Sequence, residues 1–96
     1  MWIVQIAKSA EKELKKAPLE IRNSFDAWKN LIEQYGPLGL QKINGYWDHS
    51  LKGEWKGARS SSLNGQWRVI YVVEAARIQI LVLTVTPHDY HDYRRK

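Results

Sequence analysis

Between residues 21 and 35 the apolar positions Ile21, Phe25, Trp28, Ile32 and Tyr35 recur at spacings of four, three, four and three. That period lays them along one stripe of a helix, with Asn23, Asp26, Asn30 and Glu33 opposite. Pro18 suits the start of this helix, where a missing N–H is not needed. Gly36-Pro37 ends it. Upstream, residues 10–16 read as one or two polar helical turns. Ser9 stands where it would cap them, although Lys12 occupies the place of a capping-box glutamate. Residues 2–7, Trp-Ile-Val-Gln-Ile-Ala, have the β-branched and aromatic content of a short strand.

After Gly36 the period changes. Residues 36–53 contain four glycines and a proline but few periodic apolar positions, which predicts a long connection with a helical turn near Leu38 to Lys42. Connections of that length in small domains are often functional. Trp55 to Ser62 reads as a strand, and Leu63-Asn64-Gly65-Gln66 carries the Asn-Gly signal of a tight hairpin. Trp67, Val69, Tyr71 and Val73 then alternate with Arg68, Ile70 and Val72. Both faces are largely apolar, as in a central strand covered on both sides. Glu74-Ala-Ala-Arg77 turns the chain, Ile78 to Thr86 is the last strand, and Pro87 ends the ladder. The predicted class is α+β, order β-α-α-β-β-β: a helical hairpin on a small antiparallel sheet, followed by a short C-terminal segment.

Composition narrows the setting. A chain of 96 residues suits one domain, residues 1–96, with one modest core. No apolar stretch approaches the roughly 20 residues of a membrane span, so no membrane partner is expected. The N-terminal residues lack a basic n-region and a cleavage site. With no cysteine, disulfide staples and thiolate zinc sites are excluded. These features suit a soluble cytoplasmic protein. The net charge is +5, and residues 49–96 carry eight Lys/Arg against four Asp/Glu while residues 1–48 are nearly balanced, seven against six. A basic second half suits a polyanion such as RNA, or an acidic protein partner.

Candidate chemistry gathers in the same half. No phosphate-binding glycine loop, dinucleotide fingerprint or nucleophile elbow is present. The C-terminal "HDYHDYRRK" instead collects two histidines, two aspartates, two tyrosines and three basic residues. His88 and His91, three apart with Asp92 near, would share a helical face, but no third metal ligand stands at a set spacing. Metal-free cleavage of RNA needs a base for the 2′-OH, positive charge at the phosphate and an acid for the leaving 5′-oxygen. Histidine serves both proton transfers near neutral pH, and Arg and Lys stabilise the charge. His49, Lys52, Arg68, Asp89, Tyr90 and His91 supply these parts. Arg68, on the face of Ile70 and Val72 in a central strand, needs either a carboxylate, Asp89 or Glu74, or a ligand. Trp47 and Trp55 flank His49 and are candidates either for the core or for stacking on bases. Lys56, Arg59, Arg94 and Arg95 complete the candidate RNA contacts.

These residues carry a resemblance. "DHSLKGEWKGARSSSLNGQWRVIYVV", followed by an apolar strand and "HDYHDY", is similar to toxins of the RelE/ParE superfamily from bacterial type II toxin–antitoxin modules. The nearest branches are the HigB-like and YafQ-like mRNA interferases. The resemblance spans nearly the whole chain in element order and is most specific over residues 48–73. It implies a ribosome-dependent endoribonuclease that cuts translated mRNA in the A site of the 30S subunit, without metal or other cofactor. It also implies a cognate antitoxin protein as partner. His49 and Lys52 match the HigB-like His-x-x-Lys-Gly segment, Arg68 the arginine after the strand tryptophan, and Asp89, Tyr90 and His91 that branch's Asp-Tyr-His. On the YafQ-like side His49 matches again, and His88 falls at the late catalytic histidine. That branch has a further histidine and an aspartate where this chain has Ser62 and Gln66. HigB-like chains tend to stop near Asp-Tyr-His, where this one continues. The two branches therefore nominate different late histidines. ParE-like members, which inhibit DNA gyrase, and a non-catalytic basic RNA-binding module are the alternatives.

Overall fold

The computed structural model describes residues 1–87. In chain order its elements are strand β1 (Ile3–Ile6), helices α1 (Lys8–Lys16) and α2 (Leu19–Gln41), and strand β2 (His49–Ser50). A 3-10 turn at Gly53–Trp55 leads to β3 (Arg59–Asn64) and β4 (Trp67–Glu74), and a second at Ala75–Arg77 leads to β5 (Gln79–Thr86). The two helices pack on a five-stranded sheet of order β1-β5-β4-β3-β2, the α+β arrangement that the sequence predicts. The sheet is mixed rather than wholly antiparallel, because β1 runs parallel to β5, with Ile3 opposite Gln79 and Ile6 opposite Val82. Local patterning does not encode which way the first strand meets the last. A fifth strand, the two-residue β2, is too short to read from periodicity.

The helical stripe does what its spacing predicts. Ile21, Phe25, Trp28 and Ile32 are all buried and meet Val69, Tyr71, Ile80, Val82 and Val85 of the sheet. Trp28 is fully enclosed, stacked on Phe25 at 5.6 Å between ring centroids and edge-on to Tyr71 at 5.2 Å. Burial of such rings removes a large apolar area from water and is the main favourable term for a core of this size.

At the end of the stripe Tyr35 departs from expectation, being 62% exposed. It is the last residue before Gly36, which takes φ 75° and ψ 174° and breaks α2 there. Residues 37–41 form a separate helical turn beyond the kink. A Cβ at Gly36 would lie 2.7 Å from Trp2 Nε1, so the close approach of Trp2 and the positive φ both require glycine.

Two further expectations are corrected. Ser9 does not cap α1, which starts from Ala7, whose carbonyl accepts the Glu11 N–H at 2.9 Å. Ser9 lies inside the helix, where its Oγ makes a long 3.4 Å bond to the Leu83 carbonyl. Trp55 belongs to a 3-10 turn rather than a strand, and β3 starts only at Arg59. Gly57, at φ 99°, turns the chain between them, which an aromatic-rich reading of the segment overlooks.

Strand alternation divides the sheet into two faces. Val69 and Tyr71 of β4 face the helices, while Ile70 and Val72 face away and join a smaller cluster with Leu51, Ala58, Trp55 and Leu83. So β4 is apolar on both faces and stands centrally, as predicted. Between β4 and β5 the register slips, because Ile70 pairs with Thr84 but Tyr71 pairs with Val82, leaving Leu83 extra. Glu13 of α1 reaches this bulge. Its carboxylate accepts the Val85 N–H at 2.9 Å and the Thr84 hydroxyl at 2.8 Å, satisfying polar groups that a buried irregularity in the ladder would otherwise strand.

Candidate active site

The sheet face opposite α1 and α2 gathers the candidate residues among the described residues. β2 pairs with β3 so that His49 is opposite Ser60 and Ser50 opposite Arg59. β3 in turn sets Ser60 opposite Ile70 and Ser62 opposite Arg68, and β5 sets Thr86 opposite Arg68. Directly opposed residues share a face. His49, Ser60 and Ile70 therefore form one row, and Ser62, Arg68 and Thr86 the next. About 10 Å, two strand spacings, separates the strands that carry His49 and Arg68. Two serines, small and hydroxylated, fill the interval. Thr86, beside Arg68, is the last residue of β5.

Asp48, which the sequence reading did not single out, organises the near side of the site. Its side chain is 0% exposed. One carboxylate oxygen accepts the Arg59 Nε–H at 2.6 Å, and the other accepts the Ser61 and Tyr71 hydroxyls, each at 2.5 Å. Three donors on one buried carboxylate offset the loss of its hydration. For the Arg59 guanidinium burial opposes the charge, but the hydrogen bond and attraction to Asp48 outweigh it and hold the group above its ordinary range. The Tyr71 hydroxyl is pushed far upward, first by burial and then by the neighbouring Asp48 charge. It stays a donor throughout the working range of pH.

His49 is fixed on its other side by the backbone. Trp47 adopts φ 49°, and its carbonyl lies 2.8 Å from His49 Nδ1. A carbonyl oxygen only accepts, so Nδ1 carries the proton, and in the neutral ring Nε2 is the basic nitrogen.

The remaining candidates are distributed around this centre. Lys52 and Lys56 are exposed on the loop that closes from β2 to β3, a loop tied by the Leu51 N–H to Ala58 carbonyl bond at 2.9 Å. Trp47 is 78% exposed beside His49. Trp55 is half-buried against the Leu51–Ile70 cluster. Arg59, an expected RNA contact, is half-buried and directs its Nε to Asp48. Glu74 is removed as a partner for Arg68, because the two stand at opposite ends of β4, about 20 Å apart. Among the described residues no three His, Cys, Asp or Glu gather into a metal site. His88, Asp89, Tyr90, His91, Arg94 and Arg95 lie outside the described residues.

No family model and no curated protein matches the chain, so the comparison rests on three-dimensional form. The archaeal RelE–RelB complex from Pyrococcus horikoshii is similar at a TM-score of 0.73, with 25% identity over 93% of this chain and 97% of that one. The E. coli DinJ–YafQ toxin–antitoxin complex gives 0.70, with 21% identity over 88% of this chain and 89% of that one. The chain has the fold of the RelE/ParE toxin superfamily. Within that fold the likeness extends to the YoeB/ParE toxin from Agrobacterium tumefaciens at a TM-score of 0.72, over 91% of this chain and 99% of that one, although identity is only 12%. A RelE/ParE-like framework that persists at such identity is held by its core pattern, and its chemistry must be argued from the residues on the face opposite α1 and α2.

Proposed function

We propose that this protein is the toxin of a type II toxin–antitoxin pair and that it cuts messenger RNA. The observation that carries the reading is the register that puts His49 and Arg68 on one face of the sheet, opposite the helices. Support comes also from the fold, from neighbours that are toxin–antitoxin complexes, and from the basic second half of the chain.

In this reading the reaction is acid–base transfer without metal. His49 Nε2 takes the proton of a 2′-OH, since Nδ1 is occupied by its bond to the Trp47 carbonyl. Arg68 and Lys52 stabilise the charge that builds on the phosphate in the transition state. A late histidine, His88 or His91, returns a proton to the leaving 5′-oxygen, with Asp89 and Tyr90 orienting it. The exposed Trp47 and the half-buried Trp55 stack on bases beside the scissile bond, and Lys56, Arg94 and Arg95 hold the backbone. The ribosome positions the message in its A site, in the cytoplasm, and a cognate antitoxin covers the basic half of the chain.

The test is primer extension on a message translated in a purified system, comparing wild type with His49→Ala, Arg68→Ala and His91→Ala. Discrete, ribosome-dependent cuts that vanish in His49→Ala and Arg68→Ala are expected. Cuts that persist in His91→Ala assign the late role to His88. Undisturbed translation with no cuts refutes the nuclease reading, and gyrase supercoiling and salt-dependent RNA binding then separate the ParE-like and simple binding alternatives.

A further inference from the structure

We propose that Asp48 is a positioning residue for His49, holding the two-residue strand β2 in the single register that turns the imidazole onto the face opposite α1 and α2. The inference rests on His49 as the catalytic base, but the geometry behind it is independent of any substrate. Asp48 and His49 are neighbours in extended chain, so their side chains leave on opposite faces. β2 pairs over two residues, with one further backbone bond on each side, from the Ser62 N–H to the Tyr46 carbonyl at 2.6 Å and from the Leu51 N–H to the Ala58 carbonyl at 2.9 Å. So short a ladder holds its register weakly by itself, and a slip of one residue would exchange the faces. His49 would then turn toward the core and Asp48 toward solvent.

The Asp48 carboxylate forbids that exchange. It is wholly enclosed on the helix side, bonded to Arg59 and Ser61 of β3 and to Tyr71 of β4. A slip would break three bonds at once and leave the half-buried Arg59 without its anion. The anchors stand on two strands, so they define both the height of β2 and its distance from the sheet centre. From the other direction the positive φ of Trp47 brings its carbonyl onto His49 Nδ1. The carboxylate thus sets the face, and the carbonyl sets the tautomer.

The experiment reads the His49 ring directly. In protein with 15N-labelled histidine, at a pH where the spectrum itself shows the ring to be neutral, the wild-type His49 ring is expected to show protonated Nδ1 and bare Nε2. Asp48→Asn is expected to keep that signal, because the amide oxygen still accepts from Arg59 and both hydroxyls can turn to accept from the amide nitrogen. The double variant Asp48→Ala/Arg59→Met removes both buried charges together. It is expected to show averaged tautomers and, on programmed ribosomes, a kcat reduced about 10²-fold with little change in KM, as for a misplaced base.

A folded double variant that retains the Nδ1–H signal and full kcat overturns the proposal. Should the double variant not fold, Ser61→Ala and Tyr71→Phe each remove one anchor. A partial loss of the Nδ1–H signal in both is the expected result, and an unchanged signal in both overturns the proposal. If wild type cuts no message, the nuclease reading falls while the ring signals still decide what Asp48 does.

Discussion

The two faces of the sheet are built on different terms. Toward the helices lies the large core, in which Trp28, Tyr71, Ile21 and Val82 are closed off from solvent and Glu13 staples α1 to the bulge in β5. On the other face, among the described residues, the buried apolar cluster is small, formed by Leu51, Ala58 and Ile70 beneath a glycine-bearing loop. Around them stand His49, Ser62, Arg68 and Thr86. One face supplies the apolar burial that makes the fold stable. The other exchanges part of that stability for a row of polar groups. β4 therefore serves both sides: its odd residues Val69 and Tyr71 hold the core, and its even residues include Arg68.

Substitutions on each face should therefore separate stability from activity. The largest effect is expected for Trp28→Ala, which leaves a cavity beside Phe25 and Tyr71. It should lower unfolding free energy by about 3–5 kcal/mol in chemical denaturation, and activity should fall only as the folded population falls. Arg68→Ala should do the reverse, reducing ribosome-dependent cleavage by about 10²-fold with an unchanged denaturation midpoint. Equal loss of both quantities in either variant would erase the distinction between the faces.

Smaller effects sharpen it. Glu13→Ala strands the Val85 N–H and should remove about 1–3 kcal/mol of stability, while message cleavage by the folded protein stays at the wild-type rate. Ile70→Val trims one methyl group from the cluster with Leu51 and Ala58 and should lower stability by about 0.5–1.5 kcal/mol, measured in the same titration. The smallest effect is a pH dependence. Because the Tyr71 hydroxyl is held far above its ordinary value, the unfolded chain loses that proton first, from about pH 10 upward. The unfolded state then binds fewer protons than the folded state, so stability is fully present below that range and declines as pH rises through it. Thermal melts from about pH 8 to 11 should show the decline, and Tyr71→Phe should flatten it.

Much of this was legible in the chain itself because it is local. The stripe Ile21, Phe25, Trp28, Ile32 and the double-faced run Trp67 to Val73 report their burial through spacing alone. The Gly-Pro break at residue 36 and the Asn-Gly hairpin report their turns through backbone chemistry. Tyr35 continued the stripe on paper, yet the kink beside it left the ring in solvent. Pairing of β1 with β5 and the contact between Glu13 and the bulge join residues more than 70 positions apart, and no local pattern announces them. In the candidate site His49 and Arg68 were visible as residue types that suit the chemistry. Asp48 was not, because a single acidic residue between two aromatic and imidazole neighbours reads as surface until its three donors are assembled by the sheet. A polar residue alternating with a histidine next to a strand of serines was the available clue.

The parallel pairing of the first strand with the last has a consequence for how the molecule is made. Residues 3–6 pair with residues 79–82, so β1 waits for this partner until β5 has been synthesised. Contacts of such sequence separation slow folding, since the intervening segment must be ordered before they can form. The same late strand brings Thr86 alongside Arg68. A chain that stops short of β5 therefore has neither the full five-stranded sheet nor the pairing of Thr86 with Arg68, and both arise together when β5 is made.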